Sequence, residues 1–156
     1  MRILLACDHG AWELKNHLRQ WLKRQTGVEV VDLGVDGPES VDYPDCAAKL
    51  CRALLAGEGD RGVLMCGTGL GVSIAANRFP GIRAALCHDE TTARLSRQHN
   101  DANVLVMGGR TTGPLVAERM LAVWLETPFE GGRHARRIAL LERWDESAEV
   151  GGASSD

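Results

Sequence analysis

One stretch of the sequence decides the fold class: Val63-Leu64-Met65-Cys66-Gly67-Thr68-Gly69-Leu70-Gly71-Val72-Ser73-Ile74. It begins as an apolar strand, passes through a glycine-rich turn and ends in a segment typical of a helix start. Cys66 occupies the last strand position, directly before the turn. Because backbone N–H groups at a helix N-terminus attract negative charge, the turn is predicted to hold a phosphate or an enolate-like oxygen. The same field favours the thiolate form of Cys66.

Strand-like and helix-like segments alternate on both sides of this stretch. Apolar runs predict strands over residues 3–7, 28–33, 62–66, 82–87 and 103–107. Helical spacing predicts helices over 11–25, 43–56, 70–77 and 89–98, one capped by Thr111 or Thr112, and a short one with Ile138, Leu141 and Trp144. This alternation implies a parallel sheet covered on both faces. The predicted fold is therefore a three-layer α/β/α, Rossmann-like single domain with a five-stranded parallel sheet.

Composition excludes several functional classes. The 156 residues suit one domain, and the formal net charge of -3 gives no basic footprint for nucleic acid. No apolar run approaches the roughly 20 residues of a membrane span, and the first residues are read as a strand rather than a signal peptide. Five cysteines without C-x-x-C spacing predict reduced thiols in a cytoplasmic protein. Only Cys66 has a setting that suggests reactivity, whereas Cys7, Cys46, Cys51 and Cys87 are expected to be small core residues.

Polar residues follow most of the predicted strands. In a parallel α/β sheet, ligands bind beyond the carboxyl ends of the strands. This rule brings together four groups: Asp8-His9-Gly10, the turn over residues 67–71, His88-Asp89 and Gly108-Gly109-Arg110. We expect the functional site among them.

The glycine pattern admits two interpretations from the residues alone. Gly67-x-Gly69-x-Gly71 departs from the dinucleotide fingerprint G-x-G-x-x-G because position 72 is Val, and the first βα turn is Cys7-Asp8-His9-Gly10. A P-loop is also excluded, since no Lys-Ser/Thr follows the glycines. The pattern is about equally typical of an anion-binding turn and of a tight turn at which a helix and a strand pack closely.

Basic side chains indicate anion chemistry. Arg110 follows a strand, and Arg133, Arg136 and Arg137 lie at the start of the C-terminal helix. Guanidinium groups suit phosphate, although Arg136 alone is more typical of a solvated face. His99 lies in the polar run before the fifth strand, where an imidazole serves either as an acid or base or as a helix C-cap.

Seven short motifs follow one another along the chain: Cys7-Asp8-His9-Gly10, Val41-Asp42-Tyr43-Pro44, Cys66-Gly67-Thr68-Gly69-Leu70-Gly71, Ser73-Ile74-Ala75-Ala76-Asn77-Arg78, Gly81-Ile82-Arg83-Ala84-Ala85, Leu95-Ser96-Arg97-Gln98-His99-Asn100-Asp101 and Glu130-Gly131-Gly132-Arg133-His134. Together they closely resemble the type B ribose-5-phosphate isomerases, whose wider family includes galactose-6-phosphate isomerase subunits. The resemblance extends from residue 2 to about residue 144. It implies an isomerase domain over residues 1–144, followed by a flexible acidic tail over residues 145–156.

The resemblance also implies an activity and the residues that carry it. It implies a metal-free and cofactor-free aldose–ketose isomerase that interconverts D-ribose 5-phosphate and D-ribulose 5-phosphate through a cis-enediolate. Cys66 is then the proton-transfer base, His99 helps to open the furanose ring, and Thr68 assists near the ring oxygen. The implied substrate-binding residues are Asp8, His9, Tyr43, Gly67, Gly69, Leu70, Gly71 and Asn100, and the implied phosphate-binding residues are Arg110, Arg133, Arg137 and His134.

An oligomer is expected as well. The family is implied to work as a homodimer, or as a dimer of dimers, with each site built from both subunits. The residues agree with this expectation, because the five βα units are complete before the C-terminal helix begins. The apolar face of that helix is therefore predicted to pack on a partner subunit.

Three alternatives remain open at this point. The substrate can be another phosphorylated aldose, either a tetrose 4-phosphate or a hexose 6-phosphate such as allose or galactose 6-phosphate. The loop over residues 34–40 and the reach from Cys66 to the arginines are expected to select its length. A nucleotide-dependent oxidoreductase would use the glycine turn for NAD. A non-catalytic sugar-phosphate sensor would have no need of a base at Cys66.

Overall fold

A computed structural model describes residues 1–150 of the chain, with side chains placed through residue 143. Strands and helices alternate throughout this part of the chain. The strands are β1 (Arg2–Cys7), β2 (Glu29–Asp32), β3 (Arg61–Cys66), β4 (Ala84–Leu86) and β5 (Val104–Gly108). The helices are α1 (Trp12–Lys23), α2 (Tyr43–Leu55), α3 (Leu70–Ala76), α4 (Glu90–Asn100), α5 (Pro114–Glu126) and α6 (Arg133–Val150).

The five strands form one sheet in the order β2-β1-β3-β5-β4, and every pair is parallel. Cys7 pairs with Met65, and Cys66 pairs with Gly108. The carboxyl ends of β1, β3 and β5 therefore lie side by side at one edge of the sheet. The predicted five-stranded parallel sheet is confirmed.

Successive strand residues face two separate cores, as the pleat of a strand requires. One core contains Ile3, Leu5, Val63, Met65, Leu105 and Met107 beneath α1, α4 and α5, and the other contains Leu4, Ala6, Leu64, Cys66, Val104 and Val106 beneath α2 and α3. Helices thus cover both faces, which confirms the three-layer α/β/α arrangement. Strands that are buried on both faces explain why their sequences are continuously apolar rather than alternating.

Two predicted helix boundaries differ from the structure. The predicted threonine cap of α5 is wrong, because Gly113 is the N-cap residue and Pro114 begins the helix. Thr111 instead donates its hydroxyl to the Gly108 carbonyl, within the turn that follows β5. The final helix is longer than expected, since α6 continues to Val150. Residues 151–156 of the predicted tail lie outside the described residues.

The sequence analysis missed a buried lysine in the first βα unit. Lys15 is fully buried on α1, and its Nζ donates to Asp32 Oδ2 at 2.8 Å and to Asp36 Oδ1 at 2.7 Å. Burial alone lowers the pKa of Lys15, but the hydrogen bonds to the two carboxylates outweigh burial and raise it. The hydrogen bond from Lys15 also lowers the pKa of Asp36. This contact fastens the loop that follows β2 to α1.

Replacing Lys15 with Met is expected to lower the free energy of unfolding by about 1–3 kcal/mol, because the carboxylates lose their buried donor. The value stays below that of a fully buried pair because Asp36 is 73% exposed and Asp32 keeps a 3.0 Å contact with Arg19. Lys23→Met, an exposed change on the same helix, should cost less than about 0.5 kcal/mol. Urea unfolding of the three proteins measures both differences.

The difference between wild type and Lys15→Met should also depend on pH. The lowered pKa of Asp36 stabilises the fold above the ordinary aspartate pKa, and this contribution is lost as the pH falls through the folded value. The raised pKa of Lys15 stabilises the fold below the ordinary lysine pKa, and this contribution is lost as the pH rises through the folded value. The difference should therefore be largest between about pH 5 and pH 9. A difference that is constant from pH 3 to pH 9 contradicts this account.

Candidate active site

Cys66 ends β3 at the carboxyl edge of the sheet, as predicted. Its Sγ accepts a hydrogen bond from the Gly69 backbone N–H at 3.1 Å. This bond forms because Gly69 adopts a left-handed conformation, with φ of +79°, that turns the loop back toward the cysteine. A Cβ at residue 69 would lie 3.0 Å from the Met107 carbonyl carbon, so both the conformation and the space require glycine. The Gly69 N–H is thus directed at the sulfur of Cys66.

The other four cysteines have settings that suit packing rather than chemistry. Cys7, Cys51 and Cys87 are buried as expected, whereas Cys46 is only partly buried. Burial raises the pKa of Cys7 to about 12 and that of Cys51 to about 11. Burial also raises the pKa values of Cys46 and Cys87. These four thiols therefore stay protonated at neutral pH.

Glycines allow the loops after β1, β3 and β5 to pack against one another. A Cβ at Gly10 would lie 2.9 Å from the Gly67 nitrogen, and one at Gly109 would lie 2.7 Å from the Ala11 Cα. The Gly109 N–H donates to the Cys66 carbonyl at 2.8 Å, which joins the third loop to the second. The polar residues after these three strands thus form one cluster, as the sequence predicted.

Arg110 and Tyr43 lie beside the glycine turn. The Arg110 N–H donates to the Gly67 carbonyl at 2.9 Å, and its guanidinium carbon lies 3.4 Å from the place of a Cβ on Gly67. The Tyr43 ring lies 2.9 Å from the place of a Cβ on Gly71. The side chain of Arg110 is exposed, so its charge is available beside the turn.

The first βα turn adds two more of the predicted substrate-binding residues to this edge. Asp8 is only 7% exposed, and its Oδ1 accepts from the Gly10 N–H at 2.8 Å. His9 Nδ1 accepts from the Val41 N–H at 3.3 Å. A neutral His9 therefore carries its proton on Nε2, which makes that atom a donor.

Thr68 and Leu70 complete the turn after Cys66. Both are exposed, and the Leu70 N–H donates to the Thr68 hydroxyl oxygen at 3.3 Å. The first group of predicted residues at the carboxyl edge, called here the thiol edge, comprises Asp8, His9, Tyr43, Cys66, Gly67, Thr68, Gly69, Leu70, Gly71 and Arg110.

The remaining predicted residues lie at the opposite edge of the sheet. His99 is in the last turn of α4, and Asn100 ends that helix just before β5 begins at Val104. The thiol edge lies at the other end of β5, where Gly108 pairs with Cys66. The four strand steps from Val104 to Gly108 separate the two edges by about 13 Å. A single chain therefore does not bring His99 and Cys66 together.

His99 is stacked on His134, which is in the first turn of α6. The two ring centroids are 4.3 Å apart, and the ring planes differ by 9°. Glu130 Oε2 lies 3.9 Å from His99 Nε2 and 3.7 Å from His134 Nε2. Arg133 and Arg137, both exposed, are on the same helix as His134. This second group, called here the imidazole edge, comprises His99, Asn100, Glu130, Arg133, His134 and Arg137.

The ligand atoms of His99, Glu130 and His134 lie within 4.8 Å of one another, which raises the question of a metal site. Zinc sites require nitrogen lone pairs that converge on one point. In nearly parallel stacked rings the lone pairs lie in separate planes and do not converge. The arrangement suits a carboxylate shared by two imidazoles better than it suits a metal ion.

The end of α4 is fixed by a network that the sequence analysis did not predict. Asp101 adopts a left-handed φ of +45°, accepts from Arg83 at 3.1 Å and forms an ion pair with Arg97 at 2.7 Å. The Arg83 Nε also donates to the carbonyls of Asn100 and Asp101, each at 3.1 Å. The backbone that carries His99 and Asn100 is therefore held from the amino side of β4.

A cavity of about 380 Å³ lies between α6 and the β4 edge, away from Cys66. Asn100 is the predicted substrate-binding residue that lines it. Its other lining residues include Phe79, Ile82, Ile138 and Leu141. This apolar lining suits a hydrophobic contact rather than a sugar phosphate.

Asp89, one of the polar residues that follow the fourth strand, has a structural role. Asp89 is the N-cap of α4, and its Oδ1 accepts from the Thr92 N–H at 2.7 Å. In the dinucleotide fold the glycine turn follows the first strand, whereas here it follows β3. No helix in the described part of the chain is long and apolar enough to cross a membrane.

Comparisons with known proteins agree with this geometry. Residues 3–141 match the family model described as Ribose/Galactose Isomerase. The chain is 46% identical over 140 residues to Ribose-5-phosphate isomerase B of Escherichia coli, which covers 90% of this chain and 93% of that protein. It is 40% identical to D-erythrulose-4-phosphate isomerase of Pectobacterium atrosepticum, with 88% of this chain and 91% of that protein covered.

A solved structure extends the likeness to the fold. The structure of Ribose-5-Phosphate Isomerase B from Clostridium thermocellum superposes with a TM-score of 0.92 at 47% identity, covering 95% of this chain and 99% of that one. The family match spans most of the residues that form the sheet and its covering helices, and it includes both edges described above. The chain therefore belongs to the Ribose/Galactose Isomerase family.

Proposed function

We propose that this protein interconverts D-ribose 5-phosphate and D-ribulose 5-phosphate as an aldose–ketose isomerase. The observation that carries the proposal is the thiol of Cys66, which accepts the Gly69 N–H at 3.1 Å beside a glycine-rich turn and the exposed Arg110. This arrangement puts a candidate base, candidate oxyanion donors and a cationic group at one edge of the sheet. The 46% identity to a ribose-5-phosphate isomerase B supports the choice of substrate.

The central step is proton transfer between two neighbouring carbons. In the proposed mechanism, the Cys66 thiolate takes the proton from C2 of the open-chain aldose, and the electrons of the C–H bond form the enediolate. The resulting thiol returns that proton to C1 while the O2 hydroxyl proton passes to O1, which leaves a carbonyl at C2 and yields the ketose. A positioned base of this kind is worth roughly 10²–10⁴-fold in rate. N–H groups of Gly67, Gly69, Leu70 and Gly71 are the proposed donors to the enediolate oxygens. Those of Gly69 and Leu70 donate within the turn in this structure, to Cys66 Sγ and to the Thr68 hydroxyl, and would exchange these partners for the substrate.

Ring opening must come first, because the furanose form has no carbonyl. The C1–O4 bond breaks, C1 and O1 form the carbonyl, the proton leaves O1, and a proton is delivered to O4. His99 is proposed to accept the first proton and to return it to O4, with Thr68 assisting near the ring oxygen. An imidazole suits this exchange because it accepts and donates near neutral pH.

The phosphate is proposed to bind Arg110, Arg133 and Arg137, whose exposed guanidinium groups offer paired N–H donors. His134 remains part of the proposed phosphate site, although the contacts described above join it to His99 and Glu130. Asp8, His9, Tyr43 and Asn100 are the proposed contacts to the sugar. An anchored phosphate orients the chain for both chemical steps.

A complete site is proposed to need two copies of the chain. Cys66 and His99 lie at opposite edges about 13 Å apart along β5, so one subunit would supply its thiol edge and the other its imidazole edge. Exposed apolar residues support association into a homodimer or a larger assembly. They include Leu70 and Ile74 on α3 and Leu140 and Leu141 on α6. The five reduced cysteines favour a cytoplasmic location.

A phosphorylated tetrose is the second candidate substrate, favoured by the 40% identity to a D-erythrulose-4-phosphate isomerase. The loop after β2 is the feature expected to select chain length. It is fastened at Asp36 by Lys15 and at Val41 by His9, so its position relative to the thiol edge is fixed.

Assays of ribose 5-phosphate, erythrose 4-phosphate and allose 6-phosphate in the presence of a chelator should separate these candidates. We expect the highest kcat/KM for ribose 5-phosphate, because the chain is 46% identical to a ribose-5-phosphate isomerase B and 40% identical to a D-erythrulose-4-phosphate isomerase. A higher kcat/KM for the tetrose assigns the second candidate. Turnover of none of the three contradicts the isomerase proposal.

Cys66→Ala should lower kcat for ribose 5-phosphate by roughly 10²–10⁴-fold, because the base is removed. Binding of inorganic phosphate, measured by calorimetry, should stay within about threefold, since the arginines are unchanged. Cys46→Ala, which changes a partly buried thiol on α2, is the matched control and should turn over normally. Wild-type kcat in Cys66→Ala contradicts the assignment of the base.

Mixing two inactive variants tests the two-copy site. Cys66→Ala damages the thiol edge, and His99→Ala damages the imidazole edge. Random mixing of subunits by co-refolding should make half of the dimers mixed, each with one intact site, and so restore about a quarter of wild-type activity. A mixture no more active than the separate variants shows that both residues serve the same site from one chain.

A further inference from the structure

We propose that Glu130 is the positioning residue for His99 during ring opening. Its carboxylate holds Nε2 of the imidazole, so that Nδ1 is the nitrogen that faces the sugar. This inference rests on the proposed function, because it assigns a role within the imidazole edge. Glu130 was part of a quoted motif in the sequence, but no role was predicted for it.

The contact geometry shows one carboxylate oxygen serving two rings. Glu130 Oε2 lies 3.9 Å from Nε2 of His99 and 3.7 Å from Nε2 of His134. The rings are stacked 4.3 Å apart, and His134 has only 8% of its side chain exposed. The stacked His134 ring therefore limits rotation of the His99 ring, and the Glu130 carboxylate lies on the Nε2 side of that ring.

The backbone is shaped to bring Glu130 to this position. The Glu130 N–H donates to the Gln98 carbonyl at 3.1 Å, which ties it to the residue before His99. Gly131 and Gly132 follow with φ values of +66° and +56°, and the chain then enters α6. Two successive left-handed residues are accessible at low cost only to glycine. This turn places Glu130 and His134, four residues apart, on the same side of His99.

The charges around the pair favour a neutral His134. Burial, the neighbouring His99 and then Arg133 lower the pKa of His134, and Glu130 only partly offsets them. Arg137 also faces the ring from α6 and acts in the same direction. With His134 neutral, the negative charge of Glu130 is directed to His99.

A fixed tautomer is what ring opening requires of His99. In the proposal, the Glu130 carboxylate, which lies 3.9 Å from Nε2 in this structure, closes to hydrogen-bond distance and accepts from Nε2–H. The lone pair of the neutral imidazole is then on Nδ1, and this atom accepts the O1 proton as the C1–O4 bond breaks. The same proton is then returned to O4. Without the carboxylate, the imidazole divides between two tautomers and two orientations, and the expected loss is roughly 10- to 100-fold.

The test compares a cyclic substrate with an acyclic one. Ribose 5-phosphate is a closed furanose, whereas ribulose 5-phosphate is an open-chain ketose because its O5 carries the phosphate. Glu130→Gln should lower turnover of ribose 5-phosphate roughly 10-fold or more and change consumption of ribulose 5-phosphate by less than about threefold. Glu126→Gln, an exposed glutamate just before the same turn, should change neither.

Three outcomes overturn the inference. Equal losses with both pentose phosphates assign Glu130 to proton transfer or to folding, and thermal unfolding separates these two. No loss of turnover with either substrate shows that the contact between Glu130 and His99 does not contribute to catalysis. The same conclusion follows if His99→Ala loses turnover of ribose 5-phosphate but not of ribulose 5-phosphate, whereas Glu130→Gln shows no such difference between the two substrates.

Two further controls distinguish failure of the role proposed for Glu130 from failure of the proposed isomerase function. Failure of the wild-type protein to turn over either pentose phosphate overturns the proposed function itself. If His99→Ala loses turnover of both pentose phosphates equally, His99 does not act in ring opening, and the proposed role of Glu130 is overturned as well. Glu130→Asp, which keeps the charge but shortens the side chain, should fall between wild type and Glu130→Gln.

Discussion

The parallel pairing of all five strands is the constraint on which the rest of this molecule depends. Parallel strands send every strand end to one edge and every following helix end to the other. Cys66 and Arg110 therefore lie beyond β3 and β5, while His99 and Glu130 lie where α4 and α5 finish. The chemistry of a single chain is divided into two halves by topology alone. The proposed reaction needs both halves at one substrate, which is why we propose that two copies of the chain supply them.

Close packing and chemistry use the same glycines at the thiol edge. Gly10 and Gly67 let the loops after β1 and β3 touch, and Gly69 turns its N–H toward Cys66. The two interpretations of the glycine pattern, a tight turn and an anion cradle, are therefore compatible. Glycines at positions 67, 69 and 71 leave the turn open to an oxyanion, toward which its N–H groups could be redirected from Cys66 and Thr68. The helix that follows has only seven residues, so the loop N–H groups count for more than its dipole.

Local patterns predicted the layers and the position of Cys66, because strand burial and helical spacing are properties of neighbouring residues. They did not predict partners that are distant in sequence. Lys15 contacts Asp36 across 21 residues, and no periodicity reports that pairing. Gly113 takes the place of the expected threonine cap because the chain is still in the turn after β5 at the two threonines: the Thr111 hydroxyl and the Thr112 N–H both donate to the Gly108 carbonyl. The separation of His99 from Cys66 needed the strand order, which the sequence pattern leaves open.

The exposure of Glu130 links the orientation of His99 within one chain to the proposed assembly of two chains. In one chain its side chain is 49% exposed, so water weakens its attraction for an imidazole several ångströms away. In the proposed two-copy site the thiol edge of a second chain would cover this carboxylate and displace that water. The same contact would then act in a lower dielectric and hold His99 more firmly. Assembly would thus do more than bring Cys66 and His99 together, since it would also strengthen the interaction that orients the imidazole.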